Sequence, residues 1–243
     1  MLQPNLRLRS KVWFKSALRD PGQFFRPGER LECPCCGYSG RFATGKRKDR
    51  VATRCPNCES KPRDRQVYLY LRDRKFDFRG ARVLHFAPEW PLFRMFRDEP
   101  NYVGGDIIRR RNANAIVDIT KIDFPDDHFD YLLCNHVLEH VREDRKGMQE
   151  CYRVMKPGGR GVFTVPLSDE YETWEPPAGM SVAEIERTVG WDHKRLYGLD
   201  FADKLRAVGF EVSTERSAEP ENSRHRLFAE ALFVVRKPER SDG

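Results

Sequence analysis

The chain has 243 residues, 39% hydrophobic and 12% aromatic, which predicts one sizeable core plus a small appendage and excludes a disordered polymer. No apolar run approaches the roughly 18 residues of a membrane span, and the basic N-terminus lacks the apolar stretch of a signal peptide, so a cytoplasmic protein with no membrane partner is expected. The net charge of +7 divides into +12 over residues 1–80, where 20 Lys and Arg face 8 Asp and Glu, and −5 over the remainder. The N-terminal third therefore either meets something anionic, RNA among the candidates, or presents a solvated basic surface.

In chain order, residues 1–30 read as a basic extension with scattered aromatics, broken by Pro21-Gly22 and Pro27-Gly28. Next come Cys33-Pro-Cys35-Cys36-Gly37 and Cys55-Pro-Asn57-Cys58, two C-x2-C pairs separated by 18 residues. Zinc needs four soft ligands in a tetrahedron, and each tight knuckle supplies two thiolates. The spacing predicts a ribbon over 31–61 holding one structural zinc per chain on Cys33, Cys36, Cys55 and Cys58, with Cys35 pointing away. The odd total of seven cysteines, with Cys134 and Cys151 standing apart, fits a reducing compartment better than a disulfide framework. The stretch Phe42–Lys48 reads as a hairpin tip. Residues 62–75 read as a helix, with Pro62 in its first turn and Val67, Leu69, Tyr70 and Leu71 on an apolar side; 62–80 then links the ribbon to a domain over 81–237.

That domain alternates strand and helix. Strands are predicted at 82–86, 102–106, 115–118, 129–134, 161–165, 210–213 and 228–235, with helices at 91–97, 143–155 and 200–208 and a turn at Lys156-Pro157-Gly158-Gly159. The pattern predicts an α/β fold, a doubly wound, seven-stranded, mostly parallel sheet covered on both faces. The 27 residues from Pro166 to Asp192 read as a long loop of the kind that closes over a ligand.

In an open parallel sheet, ligands bind at the carboxyl ends of the strands, beside the switch in strand order. Four strand ends here carry polar groups: His85, Asp106, Asp118 and Cys134-Asn135-His136. Asp106 is placed to accept from a ribose diol and Asp118 from an adenine amino group. Either carboxylate alone could instead be a helix cap; together they favour a nucleoside-bearing cofactor.

The run YVGGDI, then DITKIDFPDDHFDYLLCNHVLEHV, then ECYRVMKPGGRGVFTVP, over Tyr102–Pro166, resembles class I S-adenosylmethionine-dependent methyltransferases. Residues 31–235 are also similar to a group of bacterial methyltransferase-like proteins with an N-terminal zinc ribbon, a VLHFAPE first strand and a D-H-x-R-x-Y-G segment, here Asp192 to Gly198. The resemblance implies a Rossmann-like fold and S-adenosylmethionine as cofactor, held by His85, Ala87, Glu89, Asp106, Asp118, Ile119, Asn135 and His136. One departure stands out. The family's first loop is Gly-rich after a strand ending in an acid, whereas this chain has His85-Phe86-Ala87-Pro88-Glu89, where Glu89 would have to replace the acid.

Methyl transfer to a hydroxyl or protonated amine needs a base beside the acceptor. His136 follows the fourth strand, and His140 lies one helical turn later on the same face. His193 follows the long loop, with Asp192 beside it to orient the ring. His193, His136 and Asp192 are the catalytic candidates; each could also be a packing or loop-anchoring residue. The expected function is transfer of a methyl group to a small-molecule acceptor, a sugar or natural-product intermediate. Two alternatives stay open: an RNA methyltransferase recruited by the basic ribbon, and a non-catalytic zinc-ribbon nucleic-acid binder with a degenerate methyltransferase fold.

Overall fold

The computed structural model describes residues 18, 21–24, 29–44, 52–73 and 76–240, so most of the basic extension and part of the hairpin tip lie outside the described residues. Contacts divide the chain into two units. One comprises Met1–Asp77, Glu89–Phe96 and Arg216–Glu230; the other comprises Phe78–Pro88, Arg97–Glu215 and Ala231–Gly243. This division differs from the expected boundaries at 31–61, 62–80 and 81–237, because two later segments join the N-terminal unit.

Arg65 is the reason. Its side chain is fully buried, and a buried guanidinium must satisfy its donors. It donates to the carbonyls of Ser60, His225 and Arg226 at 2.6, 2.7 and 2.9 Å. Gln66 beside it donates to the Glu230 carbonyl at 2.5 Å. Residues 160 positions apart are thus joined by the hydrogen-bonding needs of one helix.

In this unit β1 (Leu31–Glu32) pairs with β2 (Ser39–Gly40), and β3 (Ala43–Thr44) with β4 (Ala52–Arg54). Each pair leads into or out of a knuckle. The Gly37 amide donates to the Cys33 carbonyl and the Glu59 amide to the Cys55 carbonyl, both at 2.9 Å. Gly37 and Glu59 both take a left-handed φ, 72° and 65°, so the second knuckle makes a glutamate do what the first gives to glycine. Helix α1 (Pro62–Asp73) follows, buries Val67, Leu69 and Leu71, and is capped where the Lys61 amide donates to Asp64 at 2.9 Å. Helix α2 (Trp90–Phe96) contacts α1, and the short helix Glu221–His225 contacts β1.

The other unit is built on seven strands: β5 (Val83–Phe86), β6 (Tyr102–Asp106), β7 (Ala115–Ile116), β8 (Phe129–Asn135), β9 (Met155–Thr164), β10 (Glu211–Glu215) and β11 (Leu232–Arg236). Their order is β7-β6-β5-β8-β9-β11-β10, parallel throughout except that β11 runs antiparallel to both its neighbours. All four residues of β5 are buried, as a central strand covered on both faces requires. The core gathers Leu84, Phe86, Leu132, Phe163 and Phe233 from the sheet. Met148, Cys151 and Val154 reach it from α3 (Asp144–Val154), and Phe201 and Leu205 from a later helix (Phe201–Arg206). Cys134 and Cys151 are both buried there, as apolar packing residues.

Two expectations are corrected. Lys156–Gly159 is not a free turn: β9 already starts at Met155, and between the pairs Phe129↔Met155 and Tyr131↔Arg160 it advances five residues while β8 advances two. The turn residues form a bulge, with Gly158 at φ 75°. Nor is Pro166–Asp192 one bare loop. It contains helix α4 (Val182–Val189), started by a capping box in which Ser181 accepts from the Glu184 amide and Glu184 reaches back to Ser181. Among the described residues, no helix is long and apolar enough to cross a membrane.

Candidate active site

The order of the parallel strands reverses between β5 and β8, so the carboxyl ends of these two strands frame the crevice such sheets use. Both ends are backbone-strained. Ala87 has φ 44° and His136 φ 51°, in a region that costs a non-glycine residue about 1 kcal/mol or more. The His136 amide is held by the Thr164 carbonyl at 2.9 Å and the Ala87 amide by the Gly105 carbonyl at 2.7 Å. Asn112 donates to the Pro88 carbonyl and fixes the loop after β5. The small residues that the first loop lacks stand instead on β6. A Cβ on Gly105 would sit 2.8 Å from Val117, and one on Gly104 would sit 3.1 Å from the Pro88 ring.

Asp106, at the end of β6, is 5% exposed. One carboxylate oxygen accepts the Ile108 amide at 3.3 Å, and the other lies 2.8 Å from the guanidinium of half-exposed Arg110, a partner the sequence did not suggest. Asp118 turns its carboxylate into its own loop, accepting the Thr120 amide and hydroxyl at 2.8 Å. The Ile119 side chain is a core residue. Asn135, at the end of β8, is 4% exposed, and its amide nitrogen has no hydrogen-bond partner.

One expected cofactor contact takes another position. His85 is fully buried, with Nδ1 3.1 Å from the Tyr102 hydroxyl, so it links two strands inside the sheet. The Glu89 carbonyl accepts the amides of Leu92 and Phe93 at the start of α2.

Beyond β8 the chain enters a 3-10 turn, Leu138–His140, which carries a buried carboxylate between imidazoles. Glu139 is 1% exposed. Its Oε1 lies 3.2 Å from His136 Nδ1 and 3.9 Å from His140 Nε2, and its Oε2 has no hydrogen-bond partner. The D-H-x-R-x-Y-G segment docks onto this turn. The Lys194 amide donates to the Glu139 carbonyl at 2.7 Å and brings the His193 ring to 4.9 Å from that of His140, edge to face. Arg195, 5% exposed, donates to the carbonyls of Val141 and Arg142 at 2.5 and 2.9 Å and to Glu175 at 2.7 Å. The Tyr197 hydroxyl donates to Asp144 at 2.7 Å. A Cβ at Gly198 would collide with the backbone of Tyr171 and Glu172, so only glycine closes this crossing.

Arg195 and Tyr197 therefore tie the segment down. Asp192 does not orient His193 as expected: its carboxylate pairs with Lys194 at 3.0 Å, and its carbonyl takes His140 Nδ1 at 3.1 Å. The Lys194 ammonium holds the Asp192 carboxyl below the usual range, and burial holds the His193 imidazole below that of a free histidine. His193 Nδ1 is buried without a hydrogen-bond partner, on the wall of a cavity of about 210 Å³ also lined by Arg142, Glu175, Ile185 and Lys194.

In the N-terminal unit the four expected thiols converge. Cys33, Cys36, Cys55 and Cys58 each offer a sulfur within 4.8 Å of the others, and Cys35 is not among them. The pairs Cys33–Cys58 and Cys36–Cys55 lie at 3.5 and 3.6 Å, close to the roughly 3.8 Å edge of a tetrahedron with 2.3 Å zinc–sulfur bonds. Burial pushes the Cys33 and Cys55 thiols up, so a cation is needed before all four can be thiolates.

Residues 106–163 match the methyltransferase domain family. Over 138 residues, 56% of this chain, the sequence is 28% identical to the sterol 24-C-methyltransferase of Yarrowia lipolytica. The chain spans about a third of that relative, 32% of its length. The solved structure of a SAM-dependent methyltransferase from Archaeoglobus fulgidus superposes with a TM-score of 0.50 at 18% identity, covering 70% of this chain and 93% of that one. The [4+2]-cyclase SpnF superposes at 0.51 and 17% identity, covering 96% and 93%. Fold alone thus admits more than one chemistry; the seven-stranded unit has the Rossmann-like fold of S-adenosylmethionine-dependent methyltransferases, and its residues 106–163 match the methyltransferase domain family.

Proposed function

We propose that this unit binds S-adenosylmethionine at the carboxyl ends of β5, β6 and β8 and transfers its methyl group to a small-molecule acceptor. The observation that carries the reading is the buried Asp106 carboxylate at the end of β6, next to the switch in strand order and the unpartnered amide of Asn135. These groups suit the cofactor. Asp106 accepts from the ribose hydroxyls once Arg110 swings outward, and Asp118, with the main chain of Ile119, meets the adenine. Ala87 and His136 bring the backbone close to the amino-acid end, and the amide nitrogen of Asn135 gains an acceptor.

When bound, the cofactor supplies an electrophilic methyl group on a sulfonium. The chain aligns the acceptor and manages its proton. His193, kept neutral by burial, presents a lone pair on the acceptor side together with His136 and His140. The curated relative acts on a sterol, which favours a small acceptor over RNA.

In the N-terminal unit the four cysteines hold one structural zinc. The RNA alternative draws on the +12 charge of residues 1–80. Titration calorimetry with S-adenosylhomocysteine tests the cofactor reading. One saturable site per chain is expected, and its absence would leave only the non-catalytic alternative. RNA binding that falls steeply with salt would move the acceptor from small molecule to RNA.

A further inference from the structure

We propose that Glu139, His140 and His193 form a site for one divalent transition-metal ion, buttressed by His136 and Asp192 and open on the adjoining cavity. Each of the three residues offers a ligand atom, and the three atoms lie within 4.8 Å of one another. Ligands on one ion with bonds of about 2.1 Å stand roughly 3–3.5 Å apart. Small side-chain rotations therefore close the set.

The neighbouring contacts match those of a metal site. His140 Nδ1 lies 3.1 Å from the Asp192 carbonyl; donation there puts the ring proton on Nδ1 and leaves the Nε2 lone pair facing Glu139. This is the outer-shell bond that fixes the tautomer of a metal-ligating histidine. His136 Nδ1, 3.2 Å from Glu139 Oε1, orients the carboxylate in the same way. The second observation is energetic. Glu139 is 1% exposed, and among the described residues no Lys or Arg pairs with its carboxylate. One of its oxygens has no donor, and neither does buried His193 Nδ1. A carboxylate oxygen and an imidazole nitrogen, both buried and both without a hydrogen-bond partner, are costly unless a cation fills the space between them.

Two imidazoles and one carboxylate, with no sulfur, suit zinc, iron, cobalt, nickel or manganese. Three protein ligands leave a position open, as catalytic sites do and structural sites do not. One of the three ligands, His193, also lines the cavity it shares with Lys194 and Arg142. An oxygen-bearing acceptor fits there. A hydroxyl on the ion loses its proton to solvent and keeps the electron pair on oxygen, because the ion lowers its pKa. The metal site stands on the side chains alone; its use on an acceptor hydroxyl rests on the methyl-transfer reading and takes the place of His193 as the base, because the one lone pair of the neutral ring is then on the ion.

The test titrates cobalt(II) into the untagged full chain after its four-cysteine cluster has been saturated with zinc. One equivalent is expected, with visible d–d absorption and no thiolate-to-cobalt charge-transfer band. His140→Ala and His193→Ala, shown to be folded by circular dichroism, should each lower cobalt affinity at least 10-fold, and His193→Asn should behave like His193→Ala. No d–d band in the wild type, a band of sulfur character only, or an unchanged titration in both histidine variants would overturn the proposal. Calorimetry with S-adenosylhomocysteine on the same samples separates the two readings. Cobalt bound without the nucleoside upholds the metal site and removes its use on an acceptor. Nucleoside bound without cobalt removes the site and leaves methyl transfer standing.

Discussion

The two units gather cation ligands in opposite ways. In the N-terminal unit the four candidate ligands are alike and come from two short knuckles; Cys33, Cys55 and Cys58 are buried at 0–2% exposure and Cys36 is half-buried. In the sheet unit they are mixed imidazole and carboxylate. They are drawn together from residues 139–140 and 193 by one backbone hydrogen bond from Lys194, and one of them, His193, borders a cavity. A closed set of thiolates has only structure to offer; an open set of nitrogen and oxygen ligands can exchange a ligand and so take part in a reaction. Local sequence builds the first kind of cluster, and tertiary docking builds the second.

The contrast can be broken most directly at the cysteines. Cys58→Ala should release zinc and unfold the N-terminal unit, whose small core cannot replace a metal contribution of about 10 kcal/mol or more. Metal content and limited proteolysis would show it, and retained zinc in the variant would refute the assignment of ligands. At the open cluster, His193→Ala should cost no fold. It should cut turnover by roughly 100-fold while leaving the affinity for S-adenosylhomocysteine unchanged, since it acts on the acceptor side. An equal loss of cofactor affinity would place His193 elsewhere. Asp106→Ala should do the reverse, weakening cofactor binding by roughly 1.5–3 kcal/mol in calorimetry with both clusters intact.

The smallest effect is a pH dependence confined to the N-terminal unit. Burial, followed by the nearby Glu89 carboxylate, pushes Asp64 up to about 6 from an ordinary value near 3.8. The folded state therefore holds a proton that the unfolded state has released. The stability this contributes is complete below the unfolded value and is lost as pH rises through about 6. Denaturation at saturating zinc should show that decline, and Asp64→Asn, which still accepts the Lys61 amide, should flatten it. A decline of the same size in the variant would assign it to another group.

What the sequence disclosed follows the same division. The C-x2-C pairs could be read because their ligands are local, and β5, β6 and β8 because central strands are short buried runs. Asp106 was legible as a strand-end acid, but its pairing with Arg110 was not, since it depends on how the loop after β6 turns. Helix α4 was missed although Ser181-Val-Ala-Glu184 spells a capping box; the Pro- and Trp-containing surroundings suggested a loop. The later segments that join the N-terminal unit were invisible, because nothing in residues 216–230 announces that a buried arginine 160 positions earlier needs their carbonyls. For the open cluster, half of the signal was present. His136-x-x-Glu139-His140 puts three ligand residues of two types within five positions, but the approach of His193 depends on the docking of a distant segment.

Arg195 has a consequence for how the sheet unit breathes. Just past the 3-10 turn the carbonyls of Val141 and Arg142 have no helical partners, and this one guanidinium collects both while its own segment donates the Lys194 amide to Glu139. Neither strand of chain can open alone without stranding the other's polar groups. In hydrogen exchange, the Lys194 and Val141 amides should therefore share one opening free energy and one denaturant slope. They would move as a single cooperative unit that either presents all of its imidazoles in register or none of them.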